Sequence, residues 1–193
     1  MKESLITVAY IAASALFILS LGGLSRQETA RRGNIYGIIG MLIALVATVF
    51  AIKDGNYVML AGAVIPGLAI GAVLAARVQM TSMPQLVAML HSFVGLAAVL
   101  VGFGTYLGTT KIAADEVTVH LVETFIGVCI GAVTFTGSVI AYAKLQGTIS
   151  GKPLMIPGRH VINLAMLVAT VVLGVLFVMA PETAGLNYLI AAT

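Results

Sequence analysis

Stretches of about twenty residues with no charged side chain recur along this chain, and no other feature limits its fold as strongly. One such stretch, 57–76, reads YVMLAGAVIPGLAIGAVLAA; another, 86–107, reads LVAMLHSFVGLAAVLVGFGTYL. An α-helix rises ~1.5 Å per residue, so each is long enough to cross a hydrocarbon layer ~30 Å thick. Inside that layer every backbone N–H and C=O must find its partner within the protein, and a helix does so within one segment. The expected fold is therefore all-α, a polytopic transmembrane helix bundle. Composition agrees: of 193 residues 60% are hydrophobic and 9% charged, against about 25% charged in soluble domains. No charged stretch is long enough to clothe a separate soluble domain, so residues 1–193 read as a single transmembrane domain.

Six full spans are expected, at 5–24, 35–52, 57–76, 86–107, 121–143 and 161–180, with the start of a seventh at 184–193. Ten apolar residues do not cross a bilayer as a helix, so the seventh is expected to continue beyond Thr193. The first span exceeds a typical secretory h-region and no A-x-A site follows it, which favours an uncleaved membrane helix. Arg26, Arg31, Arg32, Arg77, Lys144, Lys152 and Arg159 fall on one side of this arrangement, and only Lys2, Lys53 and Lys111 on the other. Seven cations against three in short loops place loops 25–34, 77–85 and 144–160 in the cytoplasm and the N-terminus outside. The net charge of +3 is accounted for by this topology, and no nucleic-acid partner is expected. Tyr36, Tyr57, Tyr106 and Tyr142 fall at span ends, as interfacial tyrosines should.

Local signals add detail. Ser82–Gln85 (SMPQ) has the form of a capping box opening the fourth span, with Pro84 in its first turn. Pro66, inside the third span, should free the carbonyl of Gly62 and bend that helix. GxxxG spacing, which permits close helix contact, occurs at Gly33/Gly37, Gly67/Gly71, Gly104/Gly108 and Gly127/Gly131; with 21 glycines some matches are chance. The single cysteine, Cys129, forms no intrachain disulfide, and no Cys/His cluster points to a metal.

The polar residues inside the spans carry the functional argument. In the fourth span His91 falls on a face with Ala88, Gly95, Ala98 and Gly102, opposite Met89, Phe93, Leu96, Leu100, Phe103 and Leu107. Small residues suit helix contact and bulky ones lipid, so His91 is expected to point into the bundle, about 8 Å from the cytoplasmic end. In the fifth span Glu123, Gly127, Gly131, Thr134, Ser138 and Ala141 make a small or polar stripe, with Leu121, Phe125, Val128, Phe135, Val139 and Tyr142 largely elsewhere. Asn163 enters at the first turn of the sixth, so His91, Ser138 and Asn163 share the cytoplasmic third of the membrane. An imidazole with an ordinary pKa of about 6.5 can load and unload a proton near neutral pH, and ionisable groups within a membrane usually mark function. The alternative is a buried histidine satisfied by a carbonyl and contributing only packing. Ser138 and Thr134 could likewise bond back to helix carbonyls, Asn163 could cap or cross-link helices, and Glu123 could be a solvated helix-start residue. His120 and His160 sit at opposite membrane edges, better suited to the interface than to chemistry.

HSFVGLAAVLVGF (91–103), IGAVTFTGSVIAYAKLQGTISGKPLMIPGRH (130–160) and the N-terminal ITVAYIAASALFILSLGGLS (6–25) closely resemble the β subunit of proton-translocating NAD(P) transhydrogenase. The resemblance implies a place in the membrane domain of a complex in the cell's inner membrane that couples hydride transfer between NAD(H) and NADP(H) to proton translocation. It implies partners: α subunits, an NADP(H)-binding domain, a dimeric assembly, and lipid. NAD(H) and NADP(H) would be held by other domains, and this chain would bind no cofactor and no metal. The family's proton-path histidine falls on His91, its serine on Ser138 and its acidic residue on Glu123, whereas Asn163 rests on the depth argument alone. The family's NADP(H) domain and glycine-rich loop have no counterpart here; GAVTFTG (131–137) lies mid-membrane after no strand and is not a dinucleotide fingerprint, so no hydride-transfer residue is expected. Three rivals remain: a solute transporter, which Pro66 alone hints at; a haem subunit using His91 and His160; and a purely structural membrane scaffold.

Overall fold

The computed structural model describes residues 2–52, 57–108, 115–153, 155–180 and 182–193. Lys53 and Lys111, two of the three cations assigned to the outer side, lie outside the described residues. Seven α-helices and no strand occur among those described: α1 (Lys2–Leu24), α2 (Ala30–Ala51), α3 (Tyr57–Arg77), α4 (Met83–Leu107), α5 (Val117–Leu145), α6 (Arg159–Met179) and α7 (Glu182–Ala191). A short 3₁₀ turn, Met80–Ser82, leads into α4. Six of the helices are long and apolar enough to span a membrane, at the places the sequence marked. The expected bounds shift at polar ends: α2 takes in Arg31 and Arg32, and α5 begins at Val117, so His120 lies in its first turn and Glu123 in its second.

The contacts divide the chain into two compact units, Met1–Ala76 and Arg77–Thr193. In the first, α1 and α2 form an antiparallel hairpin along a seam of small residues. A Cβ added to Gly33 would stand 2.7 Å from the backbone nitrogen of Leu24, and one added to Gly37 would stand 2.9 Å from the hydroxyl of Ser20. Further along, Ala13 and Ala47 are buried, and the Tyr10 and Thr48 hydroxyls bond at 2.9 Å. The turn is held by hydroxyls that occupy carbonyls left open where α1 ends: Ser25 Oγ donates to Gly22 O (2.7 Å) and Thr29 Oγ1 to Gly23 O (2.7 Å). Thr29, the residue before α2, therefore spends its hydroxyl on α1 and makes no side-chain cap. α3 stays helical on both sides of Pro66 and buries none of its residues. Its Leu60, Ala61, Val64 and Ile65 line an apolar groove with Leu45, Val49 and Phe50 of α2.

In the second unit α4 and α5 run antiparallel in backbone contact. A Cβ on Gly95 would lie 2.7 Å from the carbonyl oxygen of Gly131, and one on Gly131 would lie 2.9 Å from the nitrogen of Val99. No side chain fits between the two backbones there, the situation in which small residues let helices approach most closely. One turn and more toward the other end, Gly102 receives the side chain of Val128, which is 0% exposed. α6 joins through Gly174, which meets the ring of Phe125. α7 folds back so that Gly185 meets the Tyr106 ring and Leu189 is buried. Tyr106 and Phe125 flank Phe177 with ring centroids 5.1 and 5.6 Å away, within the range at which aromatic rings attract one another. The core, Val99, Phe125, Val128, Ala132, Phe177 and Leu189, thus gathers where α4 ends, α5 begins and α6 ends. Tyr106, expected at an interface, is packed against this core.

Three local expectations need correction. Ser82 does precede α4, but its hydroxyl makes no cap; Gln85, the other half of the expected box, sends its Nε2 to Leu145 O of α5 at 3.1 Å. Pro84 occupies the first turn as expected. Of the GxxxG pairs, Gly33/Gly37 lies on a contact seam, whereas Gly67 and Gly71 have nothing within 4 Å, nor do Gly104 and Gly127. The face of α5 that meets α4 is Thr124, Val128, Gly131 and Phe135, so Val128 and Phe135 belong to the seam and Glu123 and Gly127 fall beside it. Spacings of four, three and four residues decide this, since they hold a straight line along a helix better than repeated fours.

Candidate functional site

The α4–α5 register places the candidate residues by level. Gly95 meets Phe135, Val99 meets Gly131, and Gln85 bonds Leu145. Moving three residues back from Gly95 and three on from Phe135 brings Ser92 and Ser138 to one level, with His91 next to Ser92. The two helices therefore carry His91 and Ser138 at one level along the pair.

The direction of His91 differs from expectation. The buried face of α4 is Ser92, Gly95, Val99 and Gly102. At 3.6 residues per turn His91 comes about 60° round from the middle of that face, and its side chain is exposed at the border of the seam. Ala88 and Ala98 are half-buried beside it, so the small-residue face exists, but its buried line runs through Ser92, Gly95, Val99 and Gly102 and leaves His91 at the border. The Ser92 hydroxyl donates to Met89 O at 2.6 Å, which lets a polar group sit in an apolar seam.

Among the described residues the imidazole of His91 is bonded at one nitrogen: Nδ1 lies 3.0 Å from Val87 O, one turn back on its own helix. A carbonyl can only accept, so Nδ1 carries the hydrogen in this bond and the lone pair of the neutral ring resides on Nε2. The ring thus has the carbonyl partner named in the alternative, at Nδ1, but it is exposed and not buried.

Ser138 is half-buried and forms no hydrogen bond among the described residues; the hydroxyl that bonds back is that of Thr136, to Ala132 O at 2.9 Å. Asn163 lies in the second turn of α6, exposed, and forms no hydrogen bond with His91 or Ser138. Contact between α6 and α5 is made near Gly174 and Phe125, toward the opposite end, so level alone relates Asn163 to the pair. Glu123 is exposed, far along α5 from Ser138. His120 is half-buried at the start of α5, and His160 is exposed beside Arg159, whose Nε lies 3.4 Å from its Nε2. No group of His, Cys, Asp or Glu suited to a metal ion occurs among the described residues. Residues 131–137 form continuous helix within α5, with Gly131 used for packing. Sequence reasoning overlooked Gln85 as a bridging residue and Ser92 as the seam's polar member. The phase of Gly95, Val99 and Gly102 could have revealed Ser92.

Long apolar helices with a histidine and a serine at one level on a tightly packed pair define a multi-pass membrane protein with ionisable and hydroxyl groups inside its spans. Residues 6–193 match the family model of the NAD(P) transhydrogenase beta subunit, and the chain belongs to that family. It is 47% identical over 164 residues to the NAD(P) transhydrogenase subunit beta of Rhodospirillum rubrum, covering 83% of this chain and 35% of that protein. The same subunit from a particular strain of that species matches equally. The chain thus spans about a third of the length of the curated relatives it matches.

Proposed function

We propose that this chain is the proton-conducting membrane part of an NAD(P) transhydrogenase, in which hydride transfer between NAD(H) and NADP(H) is coupled to proton translocation. The observation that carries the reading is the family match over 6–193, joined to an imidazole inside a span whose Nε2 is open. His91 takes up a proton at Nε2 and releases it there, and Ser138, at the same level, offers a hydroxyl that can donate or accept. Asn163 and Glu123 are proposed for the inner and outer ends of the path. NAD(H) and NADP(H) bind on other domains of the complex, and hydride transfer takes place there.

The partners follow from the same reading: α subunits, an NADP(H)-binding domain, and a second copy of the complex in an inner membrane. Loops 25–34, 77–85 and 144–160 face the cytoplasm, and the basic stretch from Lys144 to Arg159 receives the NADP(H) domain. The energies are commensurate. Moving one charge across 100 mV is worth about 2.3 kcal/mol, within the ~1–3 kcal/mol by which distant sites are commonly coupled.

The test is proton uptake by vesicles containing the complete complex. His91→Ala should lower pumping at least about 100-fold, the lower end of what a positioned proton-transfer group contributes. Ser138→Ala should lower it about fivefold, the scale of one lost hydrogen bond. Undiminished pumping by the His91 variant would leave the histidine a packing residue. A haem band in the visible spectrum of the purified complex would revive the redox rival.

A further inference from the structure

α5 ends in a joint whose carbonyls are nearly all taken by the residues that follow it. Tyr142 O accepts from Gln146 N, Ala143 O from Thr148 N, and Lys144 O from Gly147 N, at 2.9, 3.0 and 3.1 Å. Gly147, with φ of +75°, supplies the left-handed turn that this kind of helix ending requires. Gln146 Nε2 also donates to the Tyr142 hydroxyl at 2.6 Å. Leu145 O is the exception: its donor is Gln85 Nε2, from the first turn of α4 and sixty residues away in sequence. This bond fastens the root of the loop after α5 to the root of the helix bearing His91. Six residues, about 9 Å of helix, separate Gln85 from His91. From Ser92 onward α4 is held against α5 by the seam, and the Gln85 bond extends the contact of the two helices to the start of α4.

We infer that Gln85 is a positioning residue of the proton path: its bond to Leu145 O makes the start of α4 and the start of loop 146–158 move as one, so that a displacement of the loop reaches His91. The inference rests on the proposed function and specifies how the loop and the histidine communicate. The amide side chain suits the task because it carries no charge whatever the pH, so the link does not depend on the state of the ring. No ionisable group shares the bond. Leu145 contributes only its carbonyl, and the nearest cation in sequence, Lys144, belongs to the joint through its own carbonyl.

The experiment compares Gln85→Met, Gln85→Lys and His91→Ala in the complete complex, reading protons pumped per hydride transferred. Methionine keeps the length and removes the donor; lysine keeps a donor of similar reach. Gln85→Met should go on transferring hydride while the proton-to-hydride ratio falls about fivefold, the lower end of ordinary coupling between sites. Gln85→Lys should recover most of the ratio. A merely structural contact would lower both rates together and leave their ratio unchanged. An unchanged ratio in Gln85→Met, an equal loss in Met and Lys variants, or a Met variant that fails to assemble while the Lys variant pumps normally would each overturn the inference. If His91→Ala pumps normally the proposed function fails first. If His91→Ala stops pumping and Gln85→Met does not alter the ratio, only the role of Gln85 is lost.

Discussion

Ser92, the residue next to His91, is buried at one end of the α4–α5 seam, whereas His91 is exposed at its border. The difference is a single residue of helical phase, and it decides which side chain is enclosed. Sorting α4 into small and bulky faces located the contact face, because Gly95 and Gly102 do lie on it. It did not fix the centre, because small residues extend round to Ala98, past His91, and so blur the direction in which the partner helix lies. The glycines separate sharply by role. Gly131→Ala puts a methyl within 3.0 Å of the Gly95 and Val99 backbones, which cannot yield as a side chain can. It should lower stability by about 1–3 kcal/mol, as overpacking does. Gly104→Ala meets nothing within 4 Å and should not destabilise, since alanine is the better helix former. Unfolding midpoints in mixed detergent micelles would distinguish the two.

At the scale of elements, the helices themselves were legible almost in full, because length and the absence of charge suffice to specify them. Their ends were less so. The expected cap at Ser82 is absent because Ser82 closes a 3₁₀ turn with ψ of 2°, away from the extended backbone of a capping residue; Gln85 reaches an acceptor on another helix, and a bond across sixty residues leaves no mark in a four-residue window. The α1–α2 turn illustrates the same competition in reverse, with Thr29 serving the helix before it. Thr29→Val should therefore loosen the hairpin by about 1 kcal/mol, the usual net worth of a hydrogen bond. Thr7→Val removes only an exposed bond back to Glu3 O and should change stability by less than about 0.5 kcal/mol. Helix content against denaturant for the two variants would check this. GxxxG proved a poor guide taken alone: spacing records that two glycines share a face, and says nothing of whether a helix lies against it.

For the whole molecule, the family and the long apolar spans are both legible in the sequence, and the family match confirms the resemblance. Sidedness is argued from the cations, and it makes a simple prediction. With Cys129 replaced by serine, cysteines introduced at Arg31 and at Asp115 should react with an impermeant maleimide from opposite faces of sealed vesicles. Labelling of both from one face would refute the orientation. The candidate site was only partly legible: the common level of His91 and Ser138 followed from counting turns, their directions did not. The exposure of the histidine depends on which neighbour α4 chooses.

The bond from His91 Nδ1 to its own helix has a further implication for transport. A ring with one nitrogen tied cannot receive at one atom and deliver from the other, as a bucket brigade does. If His91 is the carrier, arrival and departure share the same door. Direction must then come from alternating which compartment that door opens on, so a moving part elsewhere in the assembly has to do the switching.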